Sequence, residues 1–330
     1  MIKEEREWRP TASLDLLRLR AMLLKRIRKY FLGASVLEVD TPVMSVAGTT
    51  DPAIQSFFTL YHGPGPRDGF RLYLHTSPEF PMKRLLAAGA GSIYQICKVF
   101  RDGESGRVHN PEYTLLEWYR IGFDHVALMA DVESLLLKVL EDIMPLAPAR
   151  HCTYREIFRE SAGIDPFATS ANEIRQVCQA KGVFAPPGMP EDEIDGWLDL
   201  LLTHVIEPTL AAGLVFISDF PASQASLARL LPGEPPLAAR FEVYLDGVEI
   251  ANGYHELTDA AEQRRRFEWD NARRRHRHLA EIQPDLRLLA AMHSGLPDCA
   301  GVALGIDRLL MIAGGVRHIN DVMAFPLELA

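Results

Sequence analysis

Between Val99 and Arg120 the chain reads VFRDGESGRVHNPEYTLLEWYR, two strand-like runs joined by a charged loop. Arg101 closes the first run and Arg107 lies in the loop. Beyond Asn110 the odd positions Tyr113, Leu115, Glu117 and Tyr119 share one face of a strand, because successive side chains alternate. Guanidinium groups beside an aromatic face suit a nucleoside triphosphate, with arginines on the phosphates and the Tyr113 ring against the base. The alternative is an exposed charged hairpin, but an aromatic and acidic face is costly to bury without partners.

Three further stretches carry chemistry. In GVALGIDR (Gly301 to Arg308) the glycines allow a ligand to approach a strand closely, and Arg308 falls in the first turn of a helix that Gly314-Gly315 should end. A cation is misplaced at that positive helix end, so either Asp307 or a bound phosphate should compensate it. In DGVEIANGYHEL (Asp246 to Leu257), Glu249 and Glu256 would face opposite sides of a regular strand, unless a bulge or bend at Asn252-Gly253 brings them together. Two such carboxylates suit a magnesium ion bridging nucleotide phosphates. In TSPEF (Thr76 to Phe80), Ser77 reads as a helix cap, Pro78 as the first helical turn and Glu79 as an acid favoured at the helix start. Ser77 and Glu79 could also line a pocket in which Glu79 receives a ligand ammonium.

The elements that must position these groups are legible in outline. Apolar residues at three- and four-residue spacing from Leu14 to Phe31, after Ser13 and before Gly33, predict a helix. VLEVDTPVMS (Val36 to Ser45) alternates and then meets Pro42, which favours a strand end or an edge. Connections are expected at His62 to Gly69, Ala185 to Asp192 and Leu231 to Leu237. Helical periodicity from about 128 to 212 predicts a helical insertion, and Leu214 to Ser218 and Phe241 to Ile250 read as strands. Seven arginines between Glu262 and Glu281 fall on a probable helix, either as a solvated face or as a docking strip for an acidic macromolecule.

The 330 residues are 48% hydrophobic and 24% charged, enough for a sizeable core. No run of eighteen apolar residues occurs and MIKEEREWRP is charged, so neither a membrane span nor secretion is expected, and the expected compartment is the cytoplasm. Four cysteines without a CxxC pair argue against zinc and against disulfides. A net charge of -9 offers no overall attraction to nucleic acid, so a large tRNA-binding surface is not expected.

These motifs resemble the catalytic core of the class II aminoacyl-tRNA synthetases. VLEVDTPVMS is similar to motif 1, FRDGESGRVHNPEYTLLEWYR to motif 2 and GVALGIDR to motif 3. The lysine-specific branch fits best, through TSPEF, HNPEYT, FPASQASLA (Phe220 to Ala228) and VEIANGYHELTDA. The resemblance implies an α+β fold: one catalytic domain over 1–330, with a six- or seven-stranded antiparallel sheet flanked by helices, homodimeric through the motif 1-like unit with Pro42 at the interface. It implies that Ser77, Pro78, Glu79, Tyr119 and Glu256 contact the amino acid. ATP would be surrounded by Arg101, Asp102, Gly103, Arg107, Asn110, Tyr113, Glu249, Ile250 and Gly305, with Arg308 on the terminal phosphate. Arg101, Arg308 and Glu249 would be catalytic, and Glu249 with Glu256 match the acids that hold Mg2+.

Two positions depart from the synthetases. Gly103 stands where motif 2 has a glutamate, with Glu104 one place later, which leaves the group reading the adenine amine undetermined. Ala303 stands where glycine is usual, and its methyl is expected to favour a β-amino over an α-amino substrate. Only some 35 residues precede the motif 1-like segment, so no anticodon-binding barrel is expected. A bare core of this kind resembles the elongation factor P lysine ligases, which form the adenylate of (R)-β-lysine, or lysine, and transfer it to a lysine side chain of elongation factor P. A stand-alone core charging tRNA and a noncatalytic amino-acid sensor are the alternatives.

Overall fold

Helix α1 (Leu14–Gly33) begins where Ser13 accepts the Leu16 N–H on its hydroxyl, and it buries Leu23, Ile27 and Phe31 completely. The predicted span is observed, but the buried stripe runs through Leu23 to Ile27 and Phe31, while Leu14 and Ala21 of the expected stripe are exposed. Phe31 stacks on Tyr94 at 4.3 Å between ring centroids and meets the edge of Trp118 at 5.5 Å. The computed structural model describes residues 8–65, 69–186, 188–210 and 213–330. Most of the charged N-terminal segment, positions 66–68 of the connection after His62, position 187 and the end of the helical stretch at 211–212 lie outside the described residues.

Pro42 separates two very short strands, β1 (Leu37–Glu38) and β2 (Met44–Ser45), as its missing N–H requires. β2 joins β3 (Phe58–Tyr61) and β4 (Phe70–Leu74) in a small sheet of order β2-β4-β3. Helix α2 (Glu79–Ala87) leads into the hairpin of β5 (Ile93–Phe100) and β6 (Glu112–Ile121), paired antiparallel from Ile93↔Tyr119 to Phe100↔Glu112. Then follow α3 (His125–Leu140), β7 (Arg150–Thr153), α4 (Tyr154–Ala162), α5 (Ala171–Ala180) and α6 (Ile194–Leu201). The remaining strands are β8 (Leu214–Pro221), β9 (Leu230–Leu231), β10 (Leu237–Leu245), β11 (Val248–His255) and β12 (Cys299–Gly305). Helices α7 (Ala260–His276), α8 (Leu286–Gly295) and α9 (Ile306–Ala313) complete the chain.

The main sheet has nine strands, in the order β1-β5-β6-β12-β11-β10-β8-β7 with β9 on β10. Six consecutive strands, β5 to β8 along that path, are antiparallel, whereas β1 and β7 add parallel partners at the two edges. The sheet is thus larger and more mixed than the resemblance implies. The helical stretch expected over 128–212 is also not uniform. Its first helix, α3, packs with α1 and α9 in the core beneath the sheet through Leu128, Val132, Leu135 and Leu136. β7 then interrupts it, and only α4 to α6 build a separate cluster around Tyr154, Phe158, Trp197 and Leu201. Helical periodicity reports a buried face but not which body buries it. Phe241 to Ile250 spans two strands, because Asp246 and Gly247 turn with φ of 50° and 74°.

β6 crosses the middle of the sheet and has two different faces. Leu116 and Trp118 point into the core formed with α1, α3 and α9. Tyr113, Leu115, Glu117 and Tyr119 point the other way, into a cavity of about 1510 Å³ bounded also by α2 and α7.

Candidate functional site

Three central strands and two helix starts supply the cavity's polar groups. β12 contributes Gly301, Ala303 and Gly305 at alternate positions, β11 contributes Glu249, Ile250, Asn252 and Tyr254, and Glu256 follows directly after β11. The register of β11 against β10 skips Ile250, since Tyr244 pairs with Glu249 and Val243 with Ala251. This bulge shifts the alternation by one, so Glu249 and Glu256 do share a face. It lies at Ile250, not at the predicted Asn252-Gly253, because the tight packing of Gly253 against Phe241 belongs to regular strand.

One end of the cavity is cationic. Arg101 and Arg308 both line it, from strand and helix segments 207 residues apart in sequence. The Arg308 guanidinium donates to the Glu249 carbonyl at 2.8 Å, to the Glu249 carboxylate at 3.0 Å and to the Val108 carbonyl at 3.3 Å. His109 Nε2 lies 2.6 Å from it and accepts, since burial and then the Arg308 charge push the imidazole pKa down and keep it neutral. Asp307 is not the partner of Arg308. It is buried, accepts the Thr114 N–H at 2.6 Å and pairs with Arg20, which ties α9 to β6 and α1. Arg101 is less satisfied: it pairs with Glu104 at 3.4 Å, and its Nε is buried without a partner among the described residues. Such a guanidinium is a ready anion site.

The other end is a buried cluster of acids. Glu117, 2% exposed, receives the Ser77 hydroxyl on Oε2 and the Tyr119 hydroxyl on Oε1, both at 2.7 Å. Burial, with the nearby Glu79 charge, pushes its carboxyl up to about 7. Lys83, 1% exposed, lies 2.6 Å from Glu79 and 2.6 Å from Glu256. Burial opposes its charge, but Glu256 and Glu79 outweigh burial and hold the ammonium protonated. Gly301 makes this packing possible, because a Cβ there would come within 2.3 Å of the Tyr119 ring and 2.5 Å of Glu256 Oε1.

Most of the predicted site residues converge. Ser77, Glu79, Arg101, Asn110, Tyr113, Tyr119, Glu249, Ile250, Glu256, Ala303, Gly305 and Arg308 line the one cavity. Asp102, Gly103, Arg107 and Pro78 are not among its lining residues. Gly103 turns with φ of 83°, and Glu104 is the acid of that loop that reaches the cavity. Arg107 is exposed, and its carbonyl serves the Ile319 N–H. Pro78 is the N-cap of α2 instead of its first residue, while Ser77 accepts the Glu79 N–H at 3.0 Å. Asn110 uses its amide internally, donating to the Glu112 carbonyl and accepting from Leu327 N, so it braces the hairpin. Tyr113 carries the Arg101 guanidinium 5.5 Å from its ring centroid, which places that cation on the surface expected to stack on a base.

Glu256, held by Lys83, does not fit a metal ion in this arrangement. Glu249 does, since only one of its carboxylate oxygens is taken by Arg308 and a third of the side chain is exposed. Among the described residues no cluster of three or more metal-ligating side chains occurs. Of the seven arginines between Glu262 and Glu281, Arg264, Arg265, Arg275 and Arg277 are exposed, and the other three are ties within the chain. Arg266 donates to the Ser226 and Ala228 carbonyls, Arg274 to Asp51, Gln55 and Ala280, and Arg273 and Arg277 pair with Glu193. Sequence reasoning placed Glu117 on the correct face without assigning it a role, and it missed Lys83 and His109. The i,i+4 spacing of Glu79 and Lys83 was visible, but that pattern ordinarily marks an exposed helix face.

The family model for tRNA synthetases class II (D, K and N) matches residues 6–329. The chain is 50% identical to the elongation factor P--(R)-beta-lysine ligase of Vibrio cholerae over 325 residues, covering 98% of this chain and 99% of that protein. It is 46% identical to the same-named protein of Klebsiella pneumoniae over 330 residues, covering 100% of both. A Pseudoalteromonas translucida protein of that name is 45% identical over 98% of each chain.

The acidic end yields a pH prediction. An ammonium ligand requires ionised Glu117, whose carboxyl titrates at about 7 in the free protein and lower once the cation is bound. Affinity for an alkylammonium probe is therefore full above that pH and falls as pH drops below it, towards about tenfold per unit. Calorimetric titration between pH 5.5 and 8.5, ~1 unit apart, reads this; a flat profile counts against Glu117, and Glu117→Gln should leave only the weaker dependence due to Glu256, whose carboxyl burial also pushes up, to about 8.

Proposed function

The chain belongs to the class II tRNA synthetase family of the D, K and N type, and from that premise we propose that it activates (R)-β-lysine with ATP and transfers it to a lysine side chain of elongation factor P. The carrying observation is that Arg101, Arg308 and Glu249 open onto the same cavity as Ser77, Glu79, Glu117 and Glu256. A phosphate site and an ammonium site at two ends of one space leave a carboxylate between them to meet the α-phosphorus. The names of the relatives, at half identity over nearly the full length, supply the substrate and the acceptor.

In this reading the acidic end holds the ammonium groups and orients the substrate carboxylate for in-line attack. Arg101, with its unpartnered Nε, and Arg308 stabilise the charge that develops on the phosphate oxygens as pyrophosphate leaves. Mg2+, when bound, shields phosphate charge, and Glu249 is the residue that would hold it. The acceptor amine then attacks the adenylate carbonyl, forming an amide and releasing AMP, with no covalent enzyme intermediate. The acceptor in this reading is a protein factor and not tRNA, which the net charge of -9 favours. No helix of the described residues is long and apolar enough to cross a membrane. A partner that serves translation places the reaction in the cytoplasm.

The exposed apolar side chains of the motif 1-like unit support a homodimer: Leu37, Val43, Met44, Val46, Phe58 and Leu60 are 37% to 55% exposed and lie on or beside β1 to β3. Large apolar side chains exposed together in one unit of the chain are what an interface would cover. Ultracentrifugation should give a dimer, and Leu60→Glu a monomer. A monomeric parent protein would reject this interface.

Pyrophosphate exchange dependent on (R)-β-lysine, followed by label transfer to elongation factor P but not to tRNA, is the expected result. Transfer to tRNA alone would favour the synthetase reading, and amino acid binding without exchange a sensor. Arg101→Ala should lower exchange by at least about 100-fold, and retained exchange would contradict its role. Ala303, facing the cavity on β12 opposite Glu117, is proposed to set the preference for the β-amino acid. Ala303→Gly should shift kcat/KM towards α-lysine, and an unchanged α/β ratio would remove Ala303 from the argument.

A further inference from the structure

The cavity has a third wall besides its cationic and acidic ends, made by α6 and the turn that follows β8. Asp195 and Asp199, one helical turn apart, share the face of α6 that looks into the cavity, while Trp197 and Leu201 bury the opposite face. Asp195 accepts the Ser223 hydroxyl at 2.7 Å and Asp199 accepts the Gln224 amide at 3.3 Å. Neither has a cation partner among the described residues, and the neighbouring Arg240 is taken by Glu242 at 2.6 Å. Two like charges at this spacing repel along a helix, which a cation between them would relieve. A second group is unsatisfied in the same place: the Tyr154 hydroxyl, wholly buried, faces Asp199, Glu242 and Arg240 and has no hydrogen-bond partner in good geometry among the described residues.

The sheet sets Glu117, Ala303, Asn252 and Glu242 side by side on β6, β12, β11 and β10. Arg240, which donates to the Gln224 carbonyl at 2.8 Å, joins β10 to this wall, three strand spacings or roughly 14 Å from Glu117. With the amino acid at the acidic end and ATP at the cationic end, the third wall is the side left for an acceptor to approach. It also carries apolar groups, since Ile194 and Leu230 line the cavity and are 42% and 39% exposed. An apolar stem that ends in an ammonium matches such a surface with two carboxylates beside it, whereas a hydroxyl acceptor would gain little from them. We propose that Asp195 and Asp199 form the subsite that receives the acceptor lysine of the partner protein, its methylene stem against Ile194 and Leu230 and its ammonium between the carboxylates. The proposal deepens the activating reading above and rests on it.

The double variant Asp195→Asn with Asp199→Asn keeps oxygen acceptors for Ser223 and Gln224 and removes both charges. The protein is loaded with the adenylate from ATP and (R)-β-lysine, and one round of transfer to elongation factor P is followed at about pH 8. There the Asp199 carboxyl, pushed up to about 7 by burial, is ionised. In the variant the factor concentration for half-maximal transfer should rise at least about tenfold, while the KM values for ATP and (R)-β-lysine in pyrophosphate exchange stay within about twofold of the parent. An unchanged factor concentration overturns the proposal, as does an equal loss in exchange, which marks a structural role. Should the variant not fold, the loaded parent decides. Its acidic end is already filled, so n-butylammonium should compete with elongation factor P and n-butanol at the same concentration should not; equal inhibition by the two overturns the proposal. A parent without exchange sinks the activating reading and the proposal with it, whereas exchange with an unmoved acceptor dependence sinks the proposal alone.

Discussion

Burying the carboxylate of Glu117 in the centre of the main sheet is the constraint around which the acidic end is arranged. Its environment resists ionisation, so every neighbour answers that cost. The Ser77 and Tyr119 hydroxyls each give it a hydrogen bond, and Gly301 on the adjacent strand leaves the space in which Tyr119 and Glu256 meet. Lys83 offsets part of the repulsion from Glu79 and Glu256, which together with burial still raises the carboxyl. The result is an anionic site closed to water on the protein side and short of cations on the cavity side. Little rearrangement is needed for it to receive an ammonium group.

The cationic end obeys the complementary logic. Arg308 stands at a helix N-terminus, where its charge is disfavoured, and the chain answers with Glu249, two carbonyls and a neutral histidine. Asp307, beside it, is committed to locking α9 onto β6 and α1, so the helix start that carries the arginine is held by the core and not by the ligand. The bulge at Ile250 joins the two ends. By shifting the alternation of β11 it aims Glu249 into the same cavity as Glu256, although the cations that engage them differ.

Some of this was legible because it depends on local periodicity. The odd face of β6, the span of α1 and the cavity-facing glycines of β12 follow from alternation, helical spacing and small side chains in one short segment each. The structure departs from the expected placement where a local pattern has more than one tertiary use. Asp102, Gly103 and Arg107 lie in the right loop, but a left-handed turn at Gly103 sends Glu104 inward in their place. The helical period of α3 was read as part of an insertion, although its apolar face belongs to the central core.

By itself the sequence determined the inventory: the ordered motifs, the residue types able to hold phosphate and ammonium, and the strand and helix periods that present them, since these depend only on neighbours along the chain. Tertiary structure alone decided the partnerships. A lysine four residues after a glutamate looks like an exposed helix pair until folding brings Glu256, at the end of β11 and 173 residues away, to its other side. Whether a charge is solvated or stranded in a dry cluster is set by what packs over it, and that depends on long-range contacts no local spacing encodes.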